Sequence, residues 1–247
     1  MSTTVPKRSY GRTPDELRPT VIEPNFVRPA TGSALISVGE TRVICTASVQ
    51  ESVPRWLLGS GRGWVTAEYG MLPASTGERK QRDISKGRLD GRSVEIQRLI
   101  GRSLRVVVDF AALGERAIYV DCDVLQADGG TRTAAITGGM VALRLACDRL
   151  VAEGKLDRVP LTGTVAAVSC GIVNGVPLLD LDYSEDSTAE VDANVVMTGE
   201  GGLVEVQATA ERTPLSRAHL DELLGLAAGG IDVLRVGQEE AVAAAAR

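Results

Sequence analysis

Asn174 and Gly175 stand between two apolar runs of the sequence, residues 163–173 and 176–183. An Asn-Gly pair between apolar runs favours a type I′ turn, because both turn residues must take positive φ. We therefore predict a β-hairpin, which places consecutive segments next to each other in an antiparallel sheet. This feature restricts the fold most, since it argues against a sheet built only from parallel strands.

The remaining segments alternate between strands and helices without the regular order of a parallel α/β fold. Alternating and β-branched runs predict strands at residues 34–38, 42–49, 117–126, 194–197 and 203–209. Apolar residues at helical spacing predict helices at residues 92–108 and from about 131 to 153. Ser216 is suited to cap a helix over 217–228 that Gly229 and Gly230 end, and an alanine-rich helix follows. The order predicts an α+β fold with mixed sheets in two similar halves.

Length and cysteine usage limit the class of protein. The 247 residues fit one large domain or two small ones, and the first residues, up to about Arg12, are expected to be loose. No apolar run is long enough for a membrane span, and the start lacks the apolar core of a secretory signal. The four cysteines are far apart and lack CxxC spacing. A zinc site is therefore not expected, and free thiols predict a cytoplasmic protein.

Charged residues are segregated along the chain, although the net charge is only −5. Between Arg79 and Arg105 there are nine Lys or Arg and three acids, whereas between Asp180 and Asp192 there are six acids and no base. A phosphate-handling, metal-using site needs a basic patch beside an acidic cluster. Two solvated faces explain the same segregation more simply, so charge alone favours that interpretation.

The segment from Asp128 to Arg132 joins a predicted strand to a predicted helix. Gly129 and Gly130 let the backbone approach a ligand closely, and the free N–H groups of a helix start favour an anion. Thr131 adds a hydroxyl, and Arg132 adds a planar fork suited to phosphate oxygens. Neither a dinucleotide fingerprint nor a Walker loop is present, so a phosphate site and an ordinary helix start both remain open.

A second helix start, Asp90-Gly91-Arg92, has a related composition. Asp90 is suited to cap the helix, and Arg92 is suited to reach an anion. On these residues alone, a structural cap is the simpler interpretation.

Carboxylates are concentrated between Asp180 and Asp186. Alternation along a strand would place Asp180 and Asp182 on one face, and Asp186 follows just past the predicted strand end. Close carboxylates repel each other unless a cation lies between them, and oxygen ligands suit Mg²⁺ or Mn²⁺. An exposed acidic hairpin arm is the alternative, and the residues do not decide between the two.

Scarce residue types exclude some chemistry. His219 is the single histidine, which excludes catalysis by a histidine pair and leaves no confident Ser-His-Asp set. Aromatic residues make up 3%, so a wide base-stacking platform is not expected. Five basic residues of the polar segment 73–91 are suited to RNA backbone contacts, or to a solvated loop: Arg79, Lys80, Arg82, Lys86 and Arg88.

Long ordered stretches of the sequence resemble the bacterial ribonuclease PH family, whose members are phosphorolytic 3′-5′ exoribonucleases. The matching stretches are residues 63–73, 91–92, 95–100, 121–133, 165–169, 171–175 and 194–197, with Asp186 in its acidic run. They extend over nearly the whole chain and are far more specific than a short motif. We expect least agreement in the first dozen residues and in the alanine-rich tail.

The resemblance implies a fold, an activity and an assembly. The fold would be the ribosomal protein S5 domain 2-like ribonuclease PH fold, as a single domain over residues 1–247. The enzyme would be a tRNA nucleotidyltransferase that trims transfer RNA precursors and other RNA at single-stranded 3′ ends. It would use inorganic phosphate as co-substrate and release nucleoside diphosphates in a reversible reaction. The assembly would be a homohexamer, a trimer of dimers, without membrane association.

The resemblance also implies roles for individual residues by their position in the matching stretches. Four residues at the two helix starts would hold phosphate: Arg92, Gly130, Thr131 and Arg132. Three aspartates would hold Mg²⁺ or Mn²⁺: Asp180, Asp182 and Asp186. The last two of these would be the catalytic pair, and the basic segment 79–88 would face the RNA path.

Two other functions deserve weight. A catalytically inactive RNA-binding ring subunit is disfavoured, because the arginines and aspartates of the expected site are all present. A metal-dependent hydrolytic exonuclease is disfavoured less strongly, because two arginines at helix starts suit a phosphate attacker better than water. The products formed from RNA with and without phosphate distinguish the three functions.

Overall fold

The computed structural model describes residues 7–82, 85, 87–88, 90–211 and 214–246. Its first half forms a five-stranded sheet from β1 (Thr20–Pro24), β2 (Gly32–Val38), β3 (Thr41–Gln50), β4 (Trp64–Met71) and β5 (Ala117–Gln126). The strand order is β1-β2-β3-β5-β4, and every pair is antiparallel except β4 with β5, which is parallel. The sheet is therefore mixed, and the predicted strands at 34–38 and 42–49 are confirmed as β2 and β3, which pair as a hairpin.

The described part of this half includes the helices α1 (Gly91–Arg105), the short α2 (Phe110–Leu113) and α3 (Thr131–Ala152). α3 is buried along most of its length, as expected of a helix that is apolar on all sides. It contacts β2, β3 and the second sheet. A Cβ on Gly138 would lie 2.7 Å from Cγ2 of Ile36 and 3.0 Å from Sγ of Cys45. The missing side chain thus lets α3 lie directly on the first sheet.

The second half forms a four-stranded antiparallel sheet from β6 (Val165–Val173), β7 (Val176–Leu179), β8 (Val191–Thr198) and β9 (Leu203–Ala210). The order is β7-β6-β8-β9, and the one-turn helix α4 (Tyr183–Asp186) lies between β7 and β8. Asn174 and Gly175 have φ of 53° and 73°, as the predicted turn requires. The predicted second strand of this hairpin, up to residue 183, is wrong, because β7 ends at Leu179.

A single long helix, α5 (Arg217–Ala245), covers the second sheet. The predicted cap is confirmed, because Ser216 Oγ accepts a hydrogen bond from the N–H of His219 at 3.1 Å. The predicted helix end at Gly229 and Gly230 is wrong. A Cβ on Gly230 would lie 2.9 Å from Cδ1 of Leu179. This glycine allows close packing of α5 on β7 instead of ending the helix.

The N-terminal segment is anchored within its described part, contrary to the predicted loose end. A 3₁₀ helix spans Ser9–Gly11. The side chains of Arg8, Arg12 and Arg18 are buried and form ion pairs with carboxylates near α4. These arginines and their carboxylate partners lie far apart in the sequence, so no local pattern predicts the ion pairs.

The principal core cluster extends over both sheets. Val165, Ala167 and Val196 of the second sheet pack in the same cluster as the buried residues of α3 and the first sheet. The predicted α+β fold of sheets and helices in two halves is confirmed, with a mixed first sheet and an antiparallel second sheet. That residues 1–247 behave as a single domain stays a prediction. In the described residues we find no helix with the length and apolar character that crossing a membrane requires.

Candidate active site

The strand-to-helix joint between β5 and α3 is a tight loop with two left-handed glycines. Gly129 and Gly130 have φ of 74° and 66°, a region that favours glycine. A Cβ on Gly129 would lie 2.6 Å from the carbonyl oxygen of Leu181 and 2.9 Å from N of Tyr183. We call residues 128–130 the anion loop and residues 180–186 the acidic segment. The glycine thus brings the two into direct backbone contact.

Arg132 is held at the start of α3 by residues from two other elements. Its Nη1 donates to Oε1 of Gln207 at 2.9 Å and lies 3.6 Å from Oε2 of Glu95. Nε2 of Gln207 in turn donates to Oε1 of Glu95 at 3.1 Å. Arg92 lies one turn before Glu95, exposed at the start of α1. The two predicted phosphate-binding arginines therefore belong to helix starts joined through Glu95.

Tyr69 of β4 contacts the same helix start. Its phenol oxygen lies 2.8 Å from Oγ1 of Thr131, and its side chain is buried. Burial raises the pKa of Tyr69, while the hydrogen bond with Thr131 and the charges of Arg92 and Arg132 lower it. The sequence alone assigned this tyrosine no role in the site. No motif distinguishes it, because a buried tyrosine in a strand is common.

Asp180 does not continue a strand face. It follows the end of β7 with a φ of 54°, so the alternation that was to align it with Asp182 does not exist. Its Oδ2 accepts from Nε and the backbone N–H of Arg18 at 3.0 and 2.8 Å, and its Oδ1 accepts from Nη2 at 2.7 Å. Both carboxylate oxygens are therefore engaged by a buried arginine, which opposes the predicted role of Asp180 as a metal ligand.

Asp182 is engaged by its own helix. As the N-cap of α4, its Oδ1 accepts from N of Glu185 at 3.0 Å and from Oγ of Ser184 at 2.7 Å. Burial favours the neutral acid, but these hydrogen bonds outweigh it, so the pKa of Asp182 is lowered. Oδ2 lies 3.8 Å from Nη2 of Arg12. A structural explanation thus accounts for Asp182, and its predicted metal-binding and catalytic roles gain no support from these contacts.

The charges of Arg92 and Arg132 also act on two further carboxylates, those of Asp186 and Asp192. Asp186 lies at the surface, but the surrounding protein partly desolvates its carboxylate and raises its pKa, against the charges of Arg92 and Arg132. Burial raises the pKa of Asp192 as well, and the negative charge of Asp186 raises it further. The negative charges of the two groups therefore repel each other.

Sequence reasoning missed Asp192, although it counted the residue among the six acids of this region. The sequence signal for Asp192 was the two-residue alternation of side chains along the strand that contains it. Asp192 and Asn194 of β8 point to the same side of the sheet, and Asn194 is directly opposite Gln207, which holds Arg132. Within the described residues, no group of three His, Cys, Asp or Glu side chains is arranged to hold a metal. Two carboxylates still suit Mg²⁺, which often takes its other ligands from water and substrate phosphate.

Residues predicted to contact RNA lie on the segment between β4 and α1. Arg79, Arg82 and Arg88 are exposed, whereas Nζ of Lys80 lies 3.2 Å from Oδ2 of Asp90. The predicted contact Lys86 lies outside the described residues. The RNA-binding role of this segment stays a prediction.

Two family models match the chain. Residues 16–147 match "3′ exoribonuclease family, domain 1", and residues 163–230 match domain 2 of the same family. The chain is 58% identical over 235 residues to ribonuclease PH of Caulobacter vibrioides strain NA1000 / CB15N. This covers 95% of the chain and 99% of that protein, and the ribonuclease PH of strain ATCC 19089 / CIP 103742 / CB 15 gives the same values.

Solved structures share the fold at low sequence identity. Rrp46 of rice (Oryza sativa) has a TM-score of 0.76 at 18% identity, covering 95% of this chain and 100% of that one. The Archaeoglobus fulgidus exosome with RNA bound to the active site has a TM-score of 0.77 at 24% identity, covering 93% and 91%. At these identities the comparison supports the two-sheet α+β architecture alone.

Proposed function

The chain belongs to the 3′ exoribonuclease family, and on that premise we propose how its residues remove nucleotides from RNA by phosphorolysis. The 58% identity to ribonuclease PH extends over 95% of the chain. It supports a phosphate-dependent 3′-5′ exoribonuclease, a tRNA nucleotidyltransferase that processes tRNA 3′ ends. The substrates are then an RNA 3′ end and inorganic phosphate. Each reacting group is an anion, so the first task of the site is to bring two anions together.

Phosphate binds at the start of α3 in this proposal. The anion loop presents the unpaired N–H groups of the first helical turn, together with the Thr131 hydroxyl. Arg132 and Arg92 supply planar positive charge, and Gln207 fixes the orientation of Arg132 before phosphate arrives. Holding the attacking oxygen in place converts an encounter of two anions into a reaction within one bound complex.

Asp186 and Asp192 would hold Mg²⁺, or Mn²⁺, beside the arginines. Two carboxylates supply the hard oxygen ligands that these cations take, and the remaining ligands come from water and substrate phosphate. When bound, the metal supplies positive charge that stabilises the transferring phosphoryl group and the departing oxygen. Asp180 and Asp182 support this pair indirectly, because they fix the backbone that leads into α4.

The bond changes balance without a further reactant. An oxygen of hydrogen phosphate attacks the last internucleotide phosphorus, and the bond from that phosphorus to the preceding 3′ oxygen breaks. The 3′ oxygen takes the proton of hydrogen phosphate, and the terminal nucleotide leaves as a nucleoside diphosphate. Arg92 and Arg132 stabilise the added negative charge on the equatorial oxygens. Because a phosphoanhydride is formed, the reaction also runs in reverse with nucleoside diphosphates.

One observation carries this function: Gly129 brings the anion loop into backbone contact with the acidic segment, at the helix start where Glu95 of α1 meets Arg132. Groups from α1, α3 and the acidic segment are thereby close enough to act on one RNA terminus. A hydrolase that uses the same carboxylates has less need of two arginines beside a helix start.

The assembly and location are part of the proposal. We infer a homohexamer, built as a trimer of dimers, with the exposed arginines between β4 and α1 facing the RNA path. This assembly is the one that the resemblance to the ribonuclease PH family implies. Cys45, Cys122, Cys147 and Cys170 are free and buried, which fits the reducing cytoplasm. The solution mass, measured by light scattering, tests the assembly.

Product analysis tests the activity. The full chain is incubated with a 3′-extended RNA and Mg²⁺, with and without inorganic phosphate, and the released nucleotides are separated. We expect nucleoside diphosphates only when phosphate is present, and RNA extension when diphosphates replace phosphate. Nucleoside monophosphates formed without phosphate would identify a hydrolase. Intact RNA under all conditions would identify an inactive RNA-binding subunit.

A further inference from the structure

Arg18 connects the two parts of the active site that sequence motifs describe separately. This buried side chain, 1% exposed, binds both oxygens of the Asp180 carboxylate. The same guanidinium donates through Nη1 to the carbonyl oxygen of Asp128, and Nη2 lies 3.5 Å from that of Gly129. One group therefore holds the anion loop and the acidic segment at the same time.

Thr41 fixes the loop from the first sheet. Its Oγ1 donates to the carbonyl oxygen of Gly129 at 2.7 Å and accepts from N of Asp128 at 2.8 Å. The side chain is fully buried. Together with Arg18, it binds the backbone carbonyl oxygens of the anion loop.

The position of Arg18 behind Gly130 gives this arrangement a consequence for phosphate. A Cβ on Gly130 would lie 3.0 Å from Nη2 of Arg18. The guanidinium therefore lies directly against the residue at which the anion-binding helix begins. A shift of the loop by a fraction of an ångström would move the phosphate-binding groups relative to Asp186. Asp186 ends the one-turn helix α4, which begins just after Asp180.

We propose that Arg18 and Thr41 are positioning residues that set the distance between bound phosphate and the acidic segment. This inference rests on the proposed phosphorolytic function, which it deepens by naming residues that do not touch the substrates. It assigns a role to Asp180 as well, because that carboxylate is the fixed partner through which Arg18 reaches the acidic segment. Lysine at position 18 keeps the charge but cannot bind a carboxylate and two carbonyl oxygens as a planar fork does.

The test compares R18K and T41V with the wild-type chain. T137V is the matched control, because Oγ1 of Thr137 is also buried and also bridges a backbone carbonyl and N–H, those of Ala167. Each protein is first checked for folding by its thermal transition. The KM for phosphate is measured at saturating RNA and Mg²⁺, and phosphate binding without RNA is measured by calorimetry.

We expect R18K and T41V to raise the KM for phosphate and weaken its binding by about tenfold or more, since small displacements of positioned groups are costly. T137V should lose stability but leave both phosphate values unchanged. If T41V and folded R18K keep both values within about twofold of wild type, the positioning role is wrong. If R18K does not fold, T41V against T137V decides alone.

The wild-type measurements separate this inference from the function on which it rests. A wild-type chain that neither binds nor requires phosphate would overturn both proposals together. A wild-type chain that requires phosphate, with variants that match it, would overturn only the roles of Arg18 and Thr41.

Discussion

The phenol oxygen of Tyr69 lies 2.8 Å from Oγ1 of Thr131, so a buried residue of β4 is hydrogen-bonded to the first residue of α3. Thr131 has one hydroxyl proton, and a bond donated by Tyr69 leaves that proton available for an anion. The contact thus connects a core strand with the group that is to meet phosphate.

Replacing Tyr69 with Phe removes this hydrogen bond and keeps the packing of the ring. We expect a loss of about 1 kcal/mol in the free energy of unfolding, because one buried hydroxyl partner is lost. The KM for phosphate should rise a few-fold, while RNA affinity stays the same. Urea unfolding and steady-state kinetics check the two effects. An unchanged KM would limit Tyr69 to a structural role.

The Arg132→Ala variant should lose phosphate-dependent turnover. Removing one preorganised donor to a charged reacting group costs on the order of 100-fold in rate. We expect this loss in kcat/KM for phosphate, with RNA affinity preserved in a filter-binding assay. Arg158→Ala removes an exposed arginine that pairs with Asp109 instead, and it should match wild type in both assays. Loss of RNA affinity alone in Arg132→Ala would contradict phosphate binding.

Asp192→Asn tests the assignment of the cation. The change removes one negative charge from the pair with Asp186, so the Mg²⁺ concentration for half-maximal activity should rise by at least about tenfold. Asp221→Asn, an exposed substitution on α5, should leave that concentration unchanged. A normal Mg²⁺ requirement in Asp192→Asn would place the metal on other residues.

Buried thiols predict how stability depends on pH. Burial raises the pKa of Cys147 to about 12, whereas an unfolded thiol titrates near pH ~8.5. At a pH below the pKa of the unfolded thiol, Cys147 is protonated in both the folded and the unfolded protein, and its contribution to stability is complete. As the pH rises toward about 12, the unfolded state loses its proton first, so stability falls.

Urea unfolding at about pH 8 and about pH 10, below and above the pKa of an unfolded thiol, measures this change in stability. The free energy of unfolding should decrease less between the lower and the higher pH in Cys147→Ala than in the wild-type protein. Cys147→Ala is less stable at both values because of the cavity, so the comparison uses the difference between the two pH values. Equal differences in both proteins would contradict the contribution of Cys147.

A single cooperative unfolding transition is expected from the shared core. Val165 and Ala167 of the second sheet belong to the same buried cluster as Ile36 and Val43 of the first. Separating the halves would expose that surface. We expect one main thermal transition at a fixed protein concentration. Two resolved transitions would divide the chain into independent domains.

Local patterns were sufficient for most of the elements. The hairpin at Asn174-Gly175, strand β5 and the starts of α1 and α3 follow from turn chemistry and apolar spacing, which act over a few residues. The two arginines and the anion loop were predicted from the same kind of signal. They lie at helix starts, where the chemistry is encoded by adjacent residues.

Long-range contacts determine what the sequence interpretation did not predict correctly. Asp180 leaves the strand conformation because Arg18, far away in the sequence, binds its carboxylate. Gly230 stays within α5 because it packs on Leu179 of another element. The role of Asp192 depends on the register of β8 with β9. This register places the sheet face that Asp192 shares with Asn194 beside Gln207. None of these partners is adjacent in the sequence, so neither propensity nor spacing reveals them.

The buried ion pair of Arg8 with Glu185, 2.7 Å between Nε and Oε1, limits how the chain can be shortened for laboratory use. Deleting the residues through Arg12 would leave the Glu185 carboxylate in the interior without a counter-charge, at a cost of several kcal/mol by order of magnitude. That loss would fall on α4, which carries Asp186. Affinity tags therefore belong before the exposed Lys7, with every residue that follows it retained.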